Sequence, residues 1–238
     1  MRRGGERGVT LLELLIAVSL MSLLSLGVLY SMRVGVDAME KTNDRFLKNR
    51  RVLGVEKALA AQINGLMPVT TECATGKAVM FHGDPMQMRF VSTYSLQEGA
   101  RGYPKLVELA VIPGQDGKGV RLIVNELPYA GPSSLQGVCV GTQMDPVTNE
   151  AGPQFLPVAP RPDSFILADR LAGVRFIYRD TMPPPLLERW TPKWAANKLP
   201  TAIRIELVPL EMTPANLQVS STTIPIRITA NPMLIYAD

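Results

Sequence analysis

The chain has 238 residues, a formal net charge of +4, 46% apolar residues and 19% charged ones. These proportions fit a globular chain and exclude a disordered one. Residues 1–8 hold three Arg and one Glu, a net of +2, so half of the charge sits in the first eight residues and gives no ground for nucleic-acid binding.

From Val9 to Met32 every residue is apolar or small except one formal charge, Glu13. About 20 such residues cross a hydrocarbon core, so this run predicts a transmembrane helix. A cleaved secretory signal would be shorter and would end in a small-x-small site, whereas Gly27-Val28-Leu29-Tyr30 continues apolar. Arg2, Arg3 and Arg7 precede the run, which orients the N-terminus to the cytoplasm. The chain beyond the span is then periplasmic in a Gram-negative cell, and inner-membrane lipid is the first partner implied. A carboxylate within a span costs a few kcal/mol near the centre and less near an end. The positive end of the helix dipole offsets roughly 1 kcal/mol of that for Glu13, and a cation from another chain would offset the rest. The plainer alternative is a signal anchor with an incidental glutamate.

The run Arg7-Gly8-Val9-Thr10-Leu11-Leu12-Glu13-Leu14-Leu15-Ile16-Ala17 resembles the prepilin signal of type IV pilins and type II secretion pseudopilins. The resemblance implies cleavage between Gly8 and Val9 by a prepilin peptidase and N-methylation of Val9. It also implies a role for Glu13, the fifth mature residue, in subunit assembly. Val9 stands where that family usually has Phe.

The first 67 residues contain no proline, and all 20 prolines lie at or beyond Pro68. That step predicts one long helix followed by a different architecture. Val52, Val55, Leu59, Ile63 and Leu66 recur at helical spacing, with Arg45, Lys48, Arg51 and Glu56 on the opposite face. An unbroken helix from Val9 to Leu66 would measure roughly 87 Å. Gly27, Gly35 and Gly54 are its weak points, and Asn64-Gly65 with Met67-Pro68 is its stop. The expected organisation is a leader at 1–8, a membrane half of the helix at 9–32, a periplasmic half at 33–67 and a β-rich globular domain at 68–238.

Beyond Pro68 the sequence predicts strands. The first are Ala78–Phe81 and Met86–Tyr94, joined by a turn at Gly83-Asp84-Pro85. Lys105–Ile112 and Gly119–Leu127 flank a Gly-rich hairpin loop. Pro128–Pro162 is rich in Gly and Pro and is expected to be irregular, with one strand at Gly137–Val140. Phe165–Ala168 comes next. Three alternating strands complete the chain: Gly173–Asp180, with Val174, Phe176 and Tyr178 on one face; Thr201–Leu207, with Ile203, Ile205 and Leu207 inward; and Thr222–Ala230. Pro225 marks the last as an edge strand. The class is α+β, with the helix's apolar face on an antiparallel sheet. Cys73 and Cys139 are compatible with a disulfide in an oxidising compartment or with two separate thiols.

The C-terminal half resembles minor pseudopilin J of type II secretion systems. The resemblance rests on Leu167–Asp180, the Trp-bearing segment with Trp190 and Trp194, and Leu199-Pro200 leading into Ile203-Arg204. It implies a non-enzymatic subunit at the tip of a pseudopilus, with the minor pseudopilins I and K as partners. A minor pilin of a type IV pilus or DNA-uptake filament has the same arrangement. A membrane-anchored periplasmic binding domain that never polymerises is the competing class.

Enzyme chemistry finds no positive support. The single histidine, His82, has no triad around it. Asp116 lies in a turn-like Gly-rich loop without a phosphate-binding pattern. Asp145 and Glu150 lack the spacing of a calcium loop. Trp190 and Trp194 read equally as a binding face or as packing anchors. No cofactor or metal is expected.

Overall fold

The computed structural model describes residues 9–74, 76–144, 151–181, 188–194, 196–210 and 220–228, with no side chains for 44–51. The leader with Gly8, the side chains of Arg45, Lys48 and Arg51, the Asp145–Glu150 pair and the Met182–Pro185 run therefore lie outside the described residues.

The helix α1 spans Leu11–Asn64. Gly27, Gly35 and Gly54 are all helical within it. By compactness the chain divides into residues 1–48 and 49–238. In the first unit the described side chains are exposed throughout, Leu12 at 70% and Leu24 at 70% among them.

In the second unit the helix end is amphipathic, and its apolar side is buried. Leu59 and Ile63 are each 1% exposed and join a cluster with Phe90, Val107, Leu122, Phe176, Ile203 and Ile205. Burying each such side chain contributes about 1.5–3 kcal/mol. A polar clamp adds to this: the Glu126 carboxylate accepts bonds from Gln62 Nε2 at 2.9 Å, Ser95 Oγ at 2.6 Å and Leu96 N at 2.6 Å. Bonds to an ionised acceptor are the stronger kind.

Among the described residues, twelve strands come after the helix: β1 Thr70–Cys73, β2 Gly76–Val79, β3 Phe81–Gly83, β4 Gln87–Ser95, β5 Ala100–Pro113, β6 Val120–Pro128, β7 Cys139–Met144, β8 Ala151–Phe155, β9 Phe165–Thr181, β10 Glu188–Thr191, β11 Ala202–Pro209 and β12 Ser220–Pro225. The main sheet has the order β12-β11-β9-β6-β5-β4-β3, with β10 also on β9. Its pairings are antiparallel. The α+β arrangement of an apolar N-terminal helix followed by antiparallel sheet is therefore present.

Three expectations need correction. Ala78–Phe81 is not one strand. Residues 76–79 pair with β1, residues 81–83 pair with β4, and Met80 between them is 1% exposed. The segment 128–162 contains two paired strands, because β7 finds β8 across the residues between them. Phe165–Ala168 and Gly173–Asp180 are one strand, β9. It pairs with β6 through its first half and with β11 through its second, and a bulge at the changeover puts Arg170 at φ 56°.

The sheet face away from the helix carries a row of buried polar residues. His82, Arg89, Glu108 and Asn125 stand opposite one another on β3, β4, β5 and β6. Each is at most 8% exposed. Arg89 pairs with Glu108 at 2.7 Å, and Asn125 donates to Glu108 at 3.1 Å. The strap 156–164 lies across this row and supplies further partners to Arg89 and Asn125. Arg89 donates to Leu156 O, Asn125 donates to Ala159 O and accepts from Ser164 Oγ, and Val158 N donates to Gln87 Oε1. The bonded network of Arg89, Glu108 and Asn125 fixes one arrangement, since removing one member strands the others. On the same side a smaller apolar cluster of Val69, Met80, Val91, Leu106, Leu135 and Phe155 includes Cys139. Cys73 and Cys139 are joined by a disulfide with Cα atoms 5.0 Å apart, which ties the β1–β2 hairpin to the β7–β8 hairpin.

Trp194 belongs to the core at 4% exposure, with Nε1 donating to Lys198 O at 2.7 Å. Trp190 is an anchor on the outer face, with the Arg204 guanidinium 4.1 Å from its ring centre. Trp194 N also donates to Gly83 O at 2.7 Å, closing the β3 edge beneath the Tyr178 ring. There is no room for a side chain at Gly83, because a Cβ would lie 2.5 Å from Tyr178 Cζ. Overpacking of this kind costs about 1–3 kcal/mol. Gly83→Ala should lower the thermal midpoint of the full-length protein in detergent by about 5–10 °C; an unchanged midpoint would show that the ring shifts freely.

Candidate functional site: the exposed N-terminal helix

The functional stretch is built from the first turn of α1. Thr10 caps it: Glu13 N lies 3.3 Å from Thr10 Oγ1 and 3.0 Å from Thr10 O, and Leu14 N donates to Thr10 O at 3.2 Å. A capping hydroxyl satisfies a backbone N–H that the helix leaves unpaired. In lipid, where no water substitutes, that satisfaction matters more. Hydropathy alone does not single out Thr10, although a capping signal is present in the sequence: Thr10-x-x-Glu13 is the capping-box spacing. Glu13 occupies the first turn and is exposed. Val9, just before the cap, is 71% exposed.

Leu11–Asn43 has a mean hydropathy of 2.3 over its most apolar window, and none of that window is buried within the chain. By length and composition it can cross a membrane as a single-pass anchor. Two of its serines are satisfied within the helix, because Ser19 Oγ donates to Ile16 O and Ser22 Oγ donates to Val18 O.

The other residues singled out in the sequence lie in the second unit. His82 is 4% exposed, against the Phe155 ring. Its Nε2 is 3.0 Å from Asp84 Oδ2, but neither ring nitrogen has an aligned hydrogen bond among the described residues. Gln87 Nε2 donates to the same Asp84 oxygen at 2.8 Å. The neighbouring imidazole lowers the Asp84 pKa most and Gln87 assists, against the opposing effect of burial, to about 2. Tyr178 donates to Asp84 O at 3.0 Å, and burial, helped by the Asp84 charge, raises its pKa well above the usual value. Asp116 lies in the loop between β5 and β6, closed by Gly114 N donating to Gly119 O. Among the described residues no three His, Cys, Asp or Glu side chains converge on a possible metal position.

Residues 3–29 match the family described as "Prokaryotic N-terminal methylation motif". The match spans Gly8, Val9 and Glu13 and most of the span. It supports a prepilin-like protein, of pilin or pseudopilin kind, processed by a prepilin peptidase and assembled with other pilin-like subunits. That family is structural rather than enzymatic. No curated protein matches the chain.

Asp84 also links the acid–base properties to the fold, since Gln87 joins it to the strap through Val158 N. Its carboxyl is more acidic folded than unfolded, so its contribution is present above the ordinary carboxyl value of 3.8 and is lost as pH falls through about 2. The shift corresponds to about 2 kcal/mol. Denaturant titrations should show the wild type losing about that much more stability than Asp84→Asn between pH 4 and pH 2; parallel profiles would show that Asp84 has no such role.

Proposed function

We propose that the protein is a minor pseudopilin of a type II secretion system, of the J kind, placed near the tip of a periplasmic pseudopilus. The carrying observation is the methylation motif on a helical span, Leu11–Asn43, whose most apolar window none of the described residues buries. Cleavage between Gly8 and Val9 would free the Val9 amine for methylation. Glu13 of one subunit would then pair with the amine of a neighbour. Two opposite charges brought together in lipid relieve each other's desolvation, provided the geometry is good, and so set the register between subunits. The span would sit in the inner membrane with the domain in the periplasm.

Support for the J kind comes from the C-terminal half. The strand β9, the loop anchored by Trp194, and Leu199-Pro200 leading into β11 succeed one another in the order of that resemblance. The minor pseudopilins I and K are the partners this reading names. A minor pilin of a type IV pilus shares the motif and is the second reading.

The first test is the N-terminal mass of the mature chain from cells with and without a prepilin peptidase. A peptidase-dependent start at methylated Val9 is expected, and an intact leader would end the proposal. Glu13→Ala should still insert but drop out of the assembled filament. Deletion of the gene should abolish secretion of type II substrates, whereas loss of twitching or DNA uptake with secretion intact would favour the pilus.

A further inference from the structure

A groove of about 680 Å³ lies between the end of α1 and the edge strand β12. Ala60, Ile63, Ile224, Ile226 and Ile228 supply its apolar surface. Two arginines, Arg101 and Arg227, also line it, and no carboxylate does among the described residues. Both arginines are exposed, and neither has an ion pair or side-chain hydrogen bond within the described structure. Three carbonyls of the helix end already have donors other than Arg101. Ala61 O accepts from Gly65 N, Gln62 O from Ser92 Oγ, and Ile63 O from Leu66 N.

One wall of the groove is a sheet edge that is open among the described residues. Ile226 N donates to Thr201 O, and Ala202 stands opposite Pro225, so the inward N–H groups belong to even-numbered residues. Thr223 and Arg227 then present their N–H and C=O outward, and Pro225 between them presents only a carbonyl. Proline at an edge discourages pairing with just any strand. It leaves two pairing points, flanking a gap, beside an apolar floor and two cations.

We infer that this groove receives an extended, acidic segment of a partner polypeptide. The segment would pair with the Thr223 and Arg227 backbone, set an apolar side chain over Ile63 and Ile224, and place carboxylates on Arg101 and Arg227. Charge complementarity selects the acidic segment: a basic segment would meet two uncompensated cations, and an uncharged one would leave both unused. This rests on the assembly reading only in making the occupant a polypeptide.

The test uses the full-length protein in cells carrying all the filament genes. A benzophenone amino acid replaces Thr223, or Arg175 on β9 as the control, and the crosslinked residue on the captured chain is mapped. The expected capture is of another polypeptide, at an extended stretch with two or more Asp or Glu beside apolar residues. Arg101→Glu with Arg227→Glu should reduce it about tenfold at an unchanged protein level, and reversing the partner's acids to Lys should restore it. If that pair lowers the protein level, Arg101→Gln with Arg227→Gln is read instead. In isolated membranes, raising salt from about 0.05 M to about 0.5 M should reduce capture in the same direction. Capture of residues 229–238 of the same chain, of lipid or of a segment without acidic residues, capture that survives charge reversal, or no capture would each overturn the inference. The N-terminal mass of the same sample reports separately on the assembly reading.

Discussion

The dominant constraint is an apolar surface that none of the described residues covers. Residues 11–43 form a helix whose most apolar window has no buried share, and Leu11, Met21 and Leu24 are each at least 70% exposed. Leaving such side chains in water costs about 1.5–3 kcal/mol apiece, so the surface demands lipid or the apolar helices of other subunits. Thr10, Ser19 and Ser22 show the same adaptation at the backbone level, because their hydroxyls bond within the helix itself. Glu13 is the exception. A carboxylate in the first turn of such a helix is costly for an isolated chain and useful in one that meets a complementary charge.

The globular unit solves a different problem. One sheet face is sealed by the helix residues Leu59 and Ile63 and fastened by Glu126. The other carries buried charge, and the strap supplies backbone carbonyls to it. Arg89 and Glu108 satisfy each other, and the Leu156 and Ala159 carbonyls accept from Arg89 and Asn125. The strap is mostly exposed and buries little apolar surface of its own. Its position therefore depends on directional bonds, and the disulfide from Cys73 to Cys139 holds the adjoining hairpins over the same face.

Much of this was legible in the residues. The helix was, because the absence of proline before Pro68 and the three-and-four spacing of Val55, Leu59 and Ile63 are local properties of the chain. So were the inward faces of β9 and β11, since strict alternation leaves one assignment for Phe176, Tyr178, Ile203 and Ile205. Pro225 marked the edge correctly, because a residue without an N–H is tolerated where no neighbour needs one. The β7–β8 hairpin was not legible: its strands are short, carry several glycines and polar residues, and are recognised only by their pairing.

The sequence alone determined the N-terminal motif, the span and the helix-then-sheet class, because each depends on residues near one another in the chain and on fixed periodicities. Only the tertiary structure decided the rest. It joined two predicted strands into β9 and aligned His82, Arg89, Glu108 and Asn125 across four strands. It also brought Cys73 to Cys139 across a separation of 66 residues and left Arg101 and Arg227 together on one groove. Those arrangements depend on strand register and on which elements meet, and register is set by packing the whole sheet, which no local window of sequence contains.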